Sequence, residues 1–550
     1  MPEETKYEKS ERERSESVNK ILTSTSSKKV VVAGPGTGKT FLFKEVLKNK
    51  SNTLTLTFVN SLVEDLSLEL YGMSDVKTLH SYARGMLAKL TNSEINVFHK
   101  FSRIVKEDAK ILLNEDIDFS KLFHERDDDN EHLKFFKKRR DYYNYYGYSS
   151  IIYAIVKYFE KYKDKVPVYE QILIDEFQDF NLLEVSLIDL LAEKSPILVA
   201  GDDDQALYVF KSAKTKYIRE RYNGEIPEYE AFTLPYCSRC TNVIVDATND
   251  LINEAKKLGL LNGRIEKEFK YFNDEKKDKI CELYPKITYA QVFDRQIPWF
   301  IEKSIKELVK QERKSFTVLI ISPYKMQSQT IANNLMVKGL QNIDFVIKDE
   351  DDINILDGFK LLIENKNDNL GWRIVTKFII PEEEFKSLIS ETEAQPDKQI
   401  KNLITKEYKD KVSCIYKVLK YVKEDKPIKK EDFDIATSTL DISSYSIIKE
   451  YLSKQIDNNN IRTGDPALRK LPIKSTTIQS SKGLAADIVF ITHFDDRYFI
   501  KDKNITDQDI CNFLVAITRT RNKLFLISSL KEEPTFLKWL DKDRYEKVTD

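Results

Sequence analysis

The stretch VVVAGPGTGKTFLF, residues 30–43, decides the fold of this chain. An apolar run ends in a glycine-rich loop, and a helical pattern begins directly after it. Such a loop turns backbone N–H groups inward around phosphate oxygens, while Lys39 supplies a point charge and Thr40 a magnesium ligand. The alternative is a glycine-rich turn without a ligand. The predicted phosphate cradle comprises Ala33, Gly34, Pro35, Gly36, Thr37, Gly38, Lys39 and Thr40.

A second stretch, ILIDEFQD at 172–179, favours the phosphate cradle over the bare turn. It is an apolar run that ends in paired carboxylates, so Asp175 can hold magnesium and Glu176 can orient and deprotonate an attacking water. An acidic strand end can also be a solvated turn. The two patterns together are nevertheless typical of a P-loop nucleoside triphosphatase.

Seven short apolar runs predict strands that are buried on both faces of parallel sheets, with helices between them. They are KKVVVAGP (28–35), TLTLTFV (53–59), QILIDE (171–176), PILVAGD (196–202), FTVLIIS (316–322), DIVFITH (487–493) and KLFLISS (523–529). The predicted fold class is therefore α/β with two lobes. Two intervals without such runs, 85–164 and 381–470, are expected to be helical insertions, and the first 17 residues are expected to be frayed.

The composition excludes some classes of protein and leaves others open. Among 550 residues, 88 Lys and Arg balance 89 Asp and Glu, so a nucleic-acid partner would need a local basic surface. The charged N-terminus lacks a signal-peptide core, and no apolar run approaches the roughly 18 residues of a membrane span, which predicts a cytoplasmic protein without a membrane partner. Cys237 and Cys240 form a CxxC without a second pair, which favours two buried small residues over a zinc site.

The stretch GDDDQALYVF at 201–210, following ILIDEFQD, resembles the UvrD/Rep class of superfamily 1 helicases. Five further stretches are similar to motifs of that family and fall in its order: TFVNS (57–61), TLHSYA (78–83), LPYCSRC (234–240), TIQSSKGLAADIVF (477–490) and VAITRTR (515–521). With the phosphate loop these motifs span nearly the whole chain.

The resemblance implies two RecA-like lobes, with ATP and Mg²⁺ in the cleft between them and DNA across their top. The first lobe is expected at 1–84 and 165–232, with its insertion at 85–164. The second lobe is expected at 233–380 and 471–550, with a reduced insertion at 381–470.

The resemblance also implies roles for individual residues. Gln205 would contact the γ-phosphate, Asp202 to Asp204 would help to hold the magnesium and its waters, and Arg239 and Arg519 would act as arginine fingers. The expected catalytic set is Lys39, Asp175, Glu176, Gln205, Arg239 and Arg519, with Thr40 and Asp175 as metal ligands. Residues that stack on or contact DNA are expected to be Phe58, Asn60, His80, Tyr82, Phe210 and Lys482.

The segment FFKKRRDYYNYYGYSS, residues 135–150, has the mixture of basic and aromatic residues that is typical of a nucleic-acid surface. The alternative is that Tyr142, Tyr143, Tyr145 and Tyr146 pack the first insertion against its own lobe. Both interpretations remain open on the sequence.

Three positions that would recognise the nucleoside depart from the family pattern. No glutamine precedes the phosphate loop in SESVNKILTSTSSKK, residues 15–29. Ser238 stands where an adenine-stacking aromatic is expected, unless Tyr236 takes that role, and Ala485 stands where a ribose-contacting Glu is expected. We therefore predict looser purine discrimination than in typical relatives.

The function that the resemblance implies is that of an ATP-dependent DNA helicase, moving 3′ to 5′ on single-stranded DNA and acting on tailed or forked duplexes. One alternative is a DNA-stimulated or nucleotide-sensing regulatory ATPase in an anti-phage system of the Gabija type, beside a nuclease or ATPase partner. Another is a structural DNA-binding protein with a degenerate nucleotide site, which the complete set of phosphate-side residues argues against.

Overall fold

A computed structural model describes residues 4–58, 60–207, 212–311, 315–340, 342–346, 352–424, 471–500 and 504–548, with a few further positions between 426 and 449. The chain divides into two compact units. The first comprises Met1–Tyr82, Phe159–Asp349 and Thr463–Asp550, and the second comprises Ala83–Tyr158 and Glu350–Arg462.

The first unit contains two large sheets, and every strand pair in both is parallel. The first sheet has the order β3-β2-β4-β5-β1-β6 and is built from β1 (Lys28–Ala33), β2 (Thr53–Thr57), β3 (Asp75–Thr78), β4 (Gln171–Ile174), β5 (Ile197–Gly201) and β6 (Tyr229–Leu234). A short pair, β7 (Tyr236–Cys237) and β8 (Lys270–Tyr271), follows it.

The second sheet has seven strands in the order β11-β12-β10-β13-β14-β9-β15. Its strands are β9 (Ile287–Gln291), β10 (Val318–Ser322), β11 (Ile343–Val346), β12 (Ile473–Thr477), β13 (Ala486–Ile491), β14 (Thr520–Ser528) and β15 (Tyr545–Val548). Two parallel sheets with helical crossovers confirm the predicted α/β class and are consistent with two RecA-like lobes.

The helices up to the middle of the chain are α1 (Lys6–Thr23), α2 (Lys39–Leu47), α3 (Asn60–Glu69), α4 (Leu79–Thr91), α5 (Phe101–Leu112), α6 (Phe119–His124), α7 (His132–Tyr143), α8 (Tyr148–Lys161), α9 (Leu182–Ala192), α10 (Lys216–Tyr222) and α11 (Asn242–Lys257). Those that follow are α12 (Glu275–Leu283), α13 (Ile297–Gln311), α14 (Lys325–Val337), α15 (Ile355–Glu364), α16 (Asn369–Ile379), α17 (Glu382–Ala394), α18 (Ile400–Leu403), α19 (Lys406–Lys423), α20 (Asp496–Phe499), α21 (Asp507–Ile517) and α22 (Thr535–Lys538).

All seven runs contain strands, because strands covered by helices on both faces favour apolar residues along most of their length. The strands β2, β4, β5 and β10 are buried at each residue. The pattern of apolar runs did not predict the strands that are short, polar or partly exposed. These are β3, β6 to β9, β11, β12 and β15.

The N-terminal segment was expected to be frayed, and this expectation is wrong. Residues Lys6–Thr23 form helix α1, which begins with a capping box between Thr5 and Glu8. The apolar side chains of Val18 and Ile21 are buried in the core of the first sheet. A largely polar sequence therefore forms an ordered helix, because a cap and a narrow apolar stripe fix it to the sheet.

The second unit is helical over its described residues apart from one isolated bridge between Val97 and Tyr146. Asp108 lies at its centre, fully buried, and accepts hydrogen bonds from Arg139 Nε (2.9 Å), Tyr143 OH (2.7 Å) and Arg373 Nη2 (2.8 Å). Burial alone would raise the pKa of Asp108, but the two arginines outweigh it and lower that pKa. This network joins residues that the sequence assigned to the first insertion and to the second lobe.

The basic and aromatic segment at 135–150 supplies much of this interior. Phe136, Arg139, Tyr143 and Tyr145 are buried, whereas Lys137 and Lys138 are exposed. The packing interpretation therefore fits these four side chains, although they pack the helices of the second unit and not a lobe.

Two further expectations concern cysteines and the membrane. Cys237 and Cys240 are both fully buried, and Cys237 Sγ accepts a long hydrogen bond from the backbone N–H of Cys240 (3.5 Å). Among the described residues, no helix combines the length and the apolar character that a membrane span requires.

Candidate nucleotide site

The phosphate loop lies between β1 and α2, at the carboxyl end of the first sheet. Gly36 and Gly38 have positive φ angles of 70° and 93°, which favour glycine. A Cβ atom at Gly36 would also lie 2.3 Å from Arg239 Cβ. Only glycine at position 36 therefore lets the loop come this close to Arg239. Ser238 binds the same loop, because its N–H donates to Gly36 O (3.0 Å).

The side chain of Lys39 faces the two carboxylates that follow β4. Its Nζ lies 3.1 Å from Glu176 Oε1 and 3.8 Å from Asp175 Oδ1. Burial would lower the pKa of Lys39, but the carboxylates outweigh it and raise that pKa. Burial raises the pKa of Asp175, while Lys39 and Lys482 outweigh burial at Glu176 and hold its pKa well below the usual range. Glu176 is therefore the carboxylate of this pair that stays ionised in this state.

Glu176 adopts a left-handed backbone conformation with φ of 54°. This is unfavourable for a non-glycine residue and persists only where the surroundings hold it. Here Gln178 Nε2 donates to Glu176 Oε2 (2.7 Å), and Gln178 Oε1 accepts from the backbone N–H of Asp202 (3.0 Å). Gln178, which the sequence analysis did not single out, thus joins the ends of β4 and β5.

Gln205 and Arg519 make a direct contact between the two lobes. Arg519 Nη2 donates to Gln205 Oε1 (2.8 Å), and Gln205 Nε2 donates to Asp202 Oδ2 (2.7 Å). Burial and the nearby Arg239 lower the pKa of Arg519 to about 9, which is still well above neutrality. Arg519 is therefore a buried cation whose only side-chain partners, among the described residues, are an amide and a hydroxyl.

A cavity of about 520 Å³ brings the expected residues together. Its lining includes the phosphate loop at Gly36, Lys39 and Thr40, the carboxylates Asp175 and Glu176, and Gln205, Arg239 and Arg519. Lys474, Ala485 and Arg521 also line it. Cations therefore face the phosphate loop across this cavity, which is the arrangement that stabilises charge spreading over a transferred phosphoryl group.

The residues present fit a magnesium ion. Thr40 and Asp175 line the same cavity, and oxygen ligands of this type are those that Mg²⁺ prefers. Asp175 Oδ1 is buried and accepts no hydrogen bond from a described residue. A buried carboxylate oxygen without a hydrogen bond is costly, and a bound cation would satisfy it.

The three carboxylates Asp202, Asp203 and Asp204 differ from expectation. They lie close enough together to ligate a metal ion, but Lys267 Nζ already lies 2.7–3.0 Å from an oxygen of each. Arg264 binds Asp204 through two hydrogen bonds of 2.7 and 2.8 Å. The ammonium group of Lys267 thus neutralises these carboxylates in this structure.

The sequence analysis missed Arg264 and Lys267, which lie in RIEKEF at 264–269. Arg219 from α10 adds a third cation, with Nε 3.0 Å from Asp203. A signal was available, because three carboxylates that directly follow a buried strand require nearby cations if they are themselves buried. Spacing does not identify those cations, since Arg264 and Lys267 lie about sixty residues further along the chain and Arg219 lies 16 residues after Asp203.

The residues expected to contact DNA have different environments. Phe58 is half-buried, 5.7 Å from the ring of Phe180, and His80 is also half-buried. Tyr82 is 3% exposed and Lys482 is 1% exposed. Lys482 Nζ donates to Asp179 Oδ2 (2.5 Å) and to Gln205 O (2.7 Å), so it braces the cleft and is not accessible to a strand in this state. Phe210 and the side chain of Asn60 lie outside the described residues.

The three positions that depart from the family pattern offer few groups to a nucleoside. Ser238 is exposed, and its hydroxyl donates to Gly36 O (3.2 Å). Tyr236 is 6% exposed and donates to Glu13 Oε2 (2.6 Å), so its ring is not available to stack on a base. Ala485 lines the cavity without offering a hydrogen bond to a sugar.

Comparison with known proteins places these features in context. Residues 121–224 match a family described as the UvrD/REP helicase N-terminal domain. The chain is 23% identical over 415 residues to the ATP-dependent DNA helicase PcrA of Staphylococcus aureus strain Mu50, covering 64% of this chain and 54% of PcrA. It is 24% identical over 440 residues to a probable DNA helicase II homolog of Mycoplasma capricolum, covering 69% of this chain and 59% of that protein.

A shorter match with higher identity, 37%, covers 93 residues of DNA helicase II from Escherichia coli K12, which is 16% of this chain and 13% of that protein. The chain thus spans a little more than half the length of the curated relatives that it matches most extensively.

Proposed function

We infer that this member of the UvrD/Rep-like superfamily 1 helicases uses nucleoside triphosphate hydrolysis at the cavity around Lys39 to move along single-stranded DNA, 3′ to 5′, and to separate strands. The observation that carries the proposal is the cavity itself. It is lined by the phosphate loop after β1, the carboxylates after β4, Gln205 after β5 and two arginines of the second lobe. Few structural roles would require this set of charges in one place.

Hydrolysis follows from the charges of these side chains. Lys39, now paired with Glu176 and Asp175, would exchange those carboxylates for phosphate oxygens. Once Lys39 has moved to the phosphate, the pKa of Glu176 would rise, so Glu176 would accept a proton from the attacking water while Gln178 holds it in place. Magnesium held by Thr40 and Asp175 would neutralise charge on the phosphate oxygens.

Coupling to movement rests on the contact between Arg519 and Gln205. Arg519 and Gln205 both line the cavity, and Arg519 now donates to the Gln205 amide. A γ-phosphate bound there would attract the guanidinium more strongly than the neutral amide does, so Arg519 would move to the phosphate. Such an exchange would alter the hydrogen bond from Gln205 to Asp202 at the end of β5. Residues that follow this turn include Phe210, one of the expected DNA contacts.

DNA would be held mainly by stacking on aromatic side chains, which tolerates any base sequence. Phe58 and His80 remain the candidates among the described residues. The near-zero net charge implies that affinity depends on a local surface, so binding should weaken with salt according to the phosphates contacted there.

The deciding experiment measures nucleotide hydrolysis with and without single-stranded DNA, beside strand separation on duplexes with 3′ or 5′ tails. We expect stimulation by DNA and unwinding of the 3′-tailed substrate. Lys39→Ala should abolish both activities. The matched control is Lys44→Ala, because Lys44 is a partly exposed lysine of the same helix whose ion pair is with Glu69.

Stimulated hydrolysis without strand separation would favour the regulatory ATPase over the helicase. Hydrolysis that is equal in Lys39→Ala and in the unmodified protein would contradict the proposal altogether.

A further inference from the structure

Arg14 lies beside the phosphate loop and has no role in the hydrolysis proposed above. It belongs to α1, and its guanidinium carbon lies 5.3 Å from the centre of the Phe41 ring and 4.9 Å from that of Phe272. A Cβ atom at Gly38 would lie 3.4 Å from Arg14 Nη2. Gly38 in turn lines a cavity of about 390 Å³ that continues along the loop to Ser238 and Asn522.

The guanidinium of Arg14 has ring contacts but no acceptor. Within the described part of the chain it makes no hydrogen bond and no ion pair, although it is half-buried. Arg12, two residues away on the same helix, instead donates to Glu4 (2.9 Å) and to Glu16 (3.0 Å). A half-buried guanidinium with five N–H donors and no acceptor is costly unless a ligand supplies one.

The helix that carries Arg14 is fixed in place. Tyr236 OH donates to Glu13 Oε2, and the rings of Tyr7 and Phe272 lie 6.2 Å apart. Phe41, in the first turn of α2 directly after Thr40, keeps 46% of its surface exposed beside the guanidinium. An exposed ring and an unpaired planar donor therefore adjoin each other at the rim of the phosphate loop.

We propose that Arg14 determines base specificity, and that it selects purines presenting two acceptors, as guanine and hypoxanthine do, over adenine. The proposal rests on the proposed nucleotide site and names its preferred substrate. The O6 and N7 atoms of guanine accept a bidentate pair from an arginine. Adenine presents an N6 amino donor at the O6 position, so two donors would face each other there. Phe41 would stack on the base.

The test is displacement of fluorescent N-methylanthraniloyl-ADP from the full chain by ADP, GDP, IDP and 7-deaza-GDP. We expect GDP and IDP to bind about tenfold more tightly than ADP, as one bidentate pair implies. IDP lacks the 2-amino group of GDP and should match it. The 7-deaza analogue lacks N7 and should lose most of the advantage.

Arg14→Gln supplies the second arm of the test. An amide can accept from N6 and donate to N7 of adenine, so this variant should bind ADP more tightly than GDP. Arg12→Gln, on the same helix and already paired with carboxylates, should keep the preference of the unmodified protein.

Equal binding of ADP and GDP by the unmodified protein, or a preference for ADP, would overturn the proposal. So would an Arg14→Gln variant that weakens all four nucleotides by the same factor, because that pattern indicates contact with phosphate or a structural role. Binding of diphosphates requires neither hydrolysis nor DNA, so this result is separate from any failure of the helicase assay.

Discussion

Asp175 and Glu176 follow β4, and Asp202 to Asp204 follow β5, the neighbouring strand of the same sheet. Both groups are buried, and both come directly after an apolar strand. The first group shares Lys39, which a phosphate can displace, and Glu176 also lies 3.4 Å from Lys482 Nζ, while Asp175 keeps an oxygen without a hydrogen-bond donor. The second group is neutralised by Lys267, Arg264 and Arg219.

This difference indicates that the first group takes part in hydrolysis, whereas the second group stabilises the fold. Asp175 keeps an oxygen that can take a metal, and the partner Lys39 of Glu176 can be drawn away by a phosphate. Carboxylates whose oxygens are all paired with several protein cations instead hold segments together. Changes at the first group should therefore alter turnover and leave folding intact. Changes at the second should alter stability first.

The largest effect is expected for Arg519→Ala, which removes the cation opposite the first group. Arginine fingers contribute about 10³-fold or more to phosphoryl transfer. We expect phosphate release at saturating nucleotide and DNA to fall by that factor, with the melting temperature nearly unchanged. Arg497→Ala, an exposed arginine of the same lobe that lies over the ring of Tyr498, should be neutral. Full turnover in Arg519→Ala would remove Arg519 from the mechanism.

Glu176→Gln should lower turnover by about 10² to 10⁴, the usual contribution of a general base. The amide keeps the shape of the side chain but cannot accept the proton. Nucleotide binding, measured by displacement of a fluorescent diphosphate, should stay within a few-fold of the unmodified protein. Glu193→Gln, at an exposed position after α9, is the control. Loss of binding together with turnover would show that Glu176 is structural, like the second group.

Lys267→Met should remove the ammonium group that the three carboxylates of the second group share, and so lower the free energy of unfolding. It leaves three buried carboxylates with one shared cation missing, and removing one partner of a buried ion pair costs about 3–5 kcal/mol. Urea unfolding should show this loss, while the exposed control Lys256→Met, paired only with exposed Glu266, should cost under about 1 kcal/mol. Unchanged stability in Lys267→Met would mean that the two acidic groups do not differ as the structure indicates.

Arg219→Ala should have the smallest effect of these substitutions, a small decrease in the free energy of unfolding. Its Nε reaches Asp203 at 3.0 Å, but the side chain is 23% exposed and Lys267 still neutralises the same carboxylate. We expect a loss of about 1 kcal/mol in the free energy of unfolding. A loss as large as that of Lys267→Met would show that neutralisation is spread evenly over the cations.

Much of the nucleotide site was predictable because its residues are adjacent in sequence. The loop at 30–43 and the run at 172–179 each place their functional side chains at a strand end, so local spacing is enough to identify them. Gln205, Arg239 and Arg519 came from the resemblance, and the structure brings all three to the cavity. Lys482 and Tyr82 differ from expectation because burial depends on what packs over a residue.

The sequence by itself determined which segments become buried parallel strands and where the phosphate loop and its carboxylates lie. Those properties depend on apolar runs and on neighbours within a few residues. Only the tertiary structure decided that Lys267 neutralises the acidic cluster, that Arg14 adjoins the phosphate loop, and that Asp108, Arg139 and Arg373 join the helices of the second unit. Each of these pairings links side chains that are far apart in the chain. Because electrostatic attraction does not depend on direction, the spacing of residues in the sequence does not identify which charged side chains will pair.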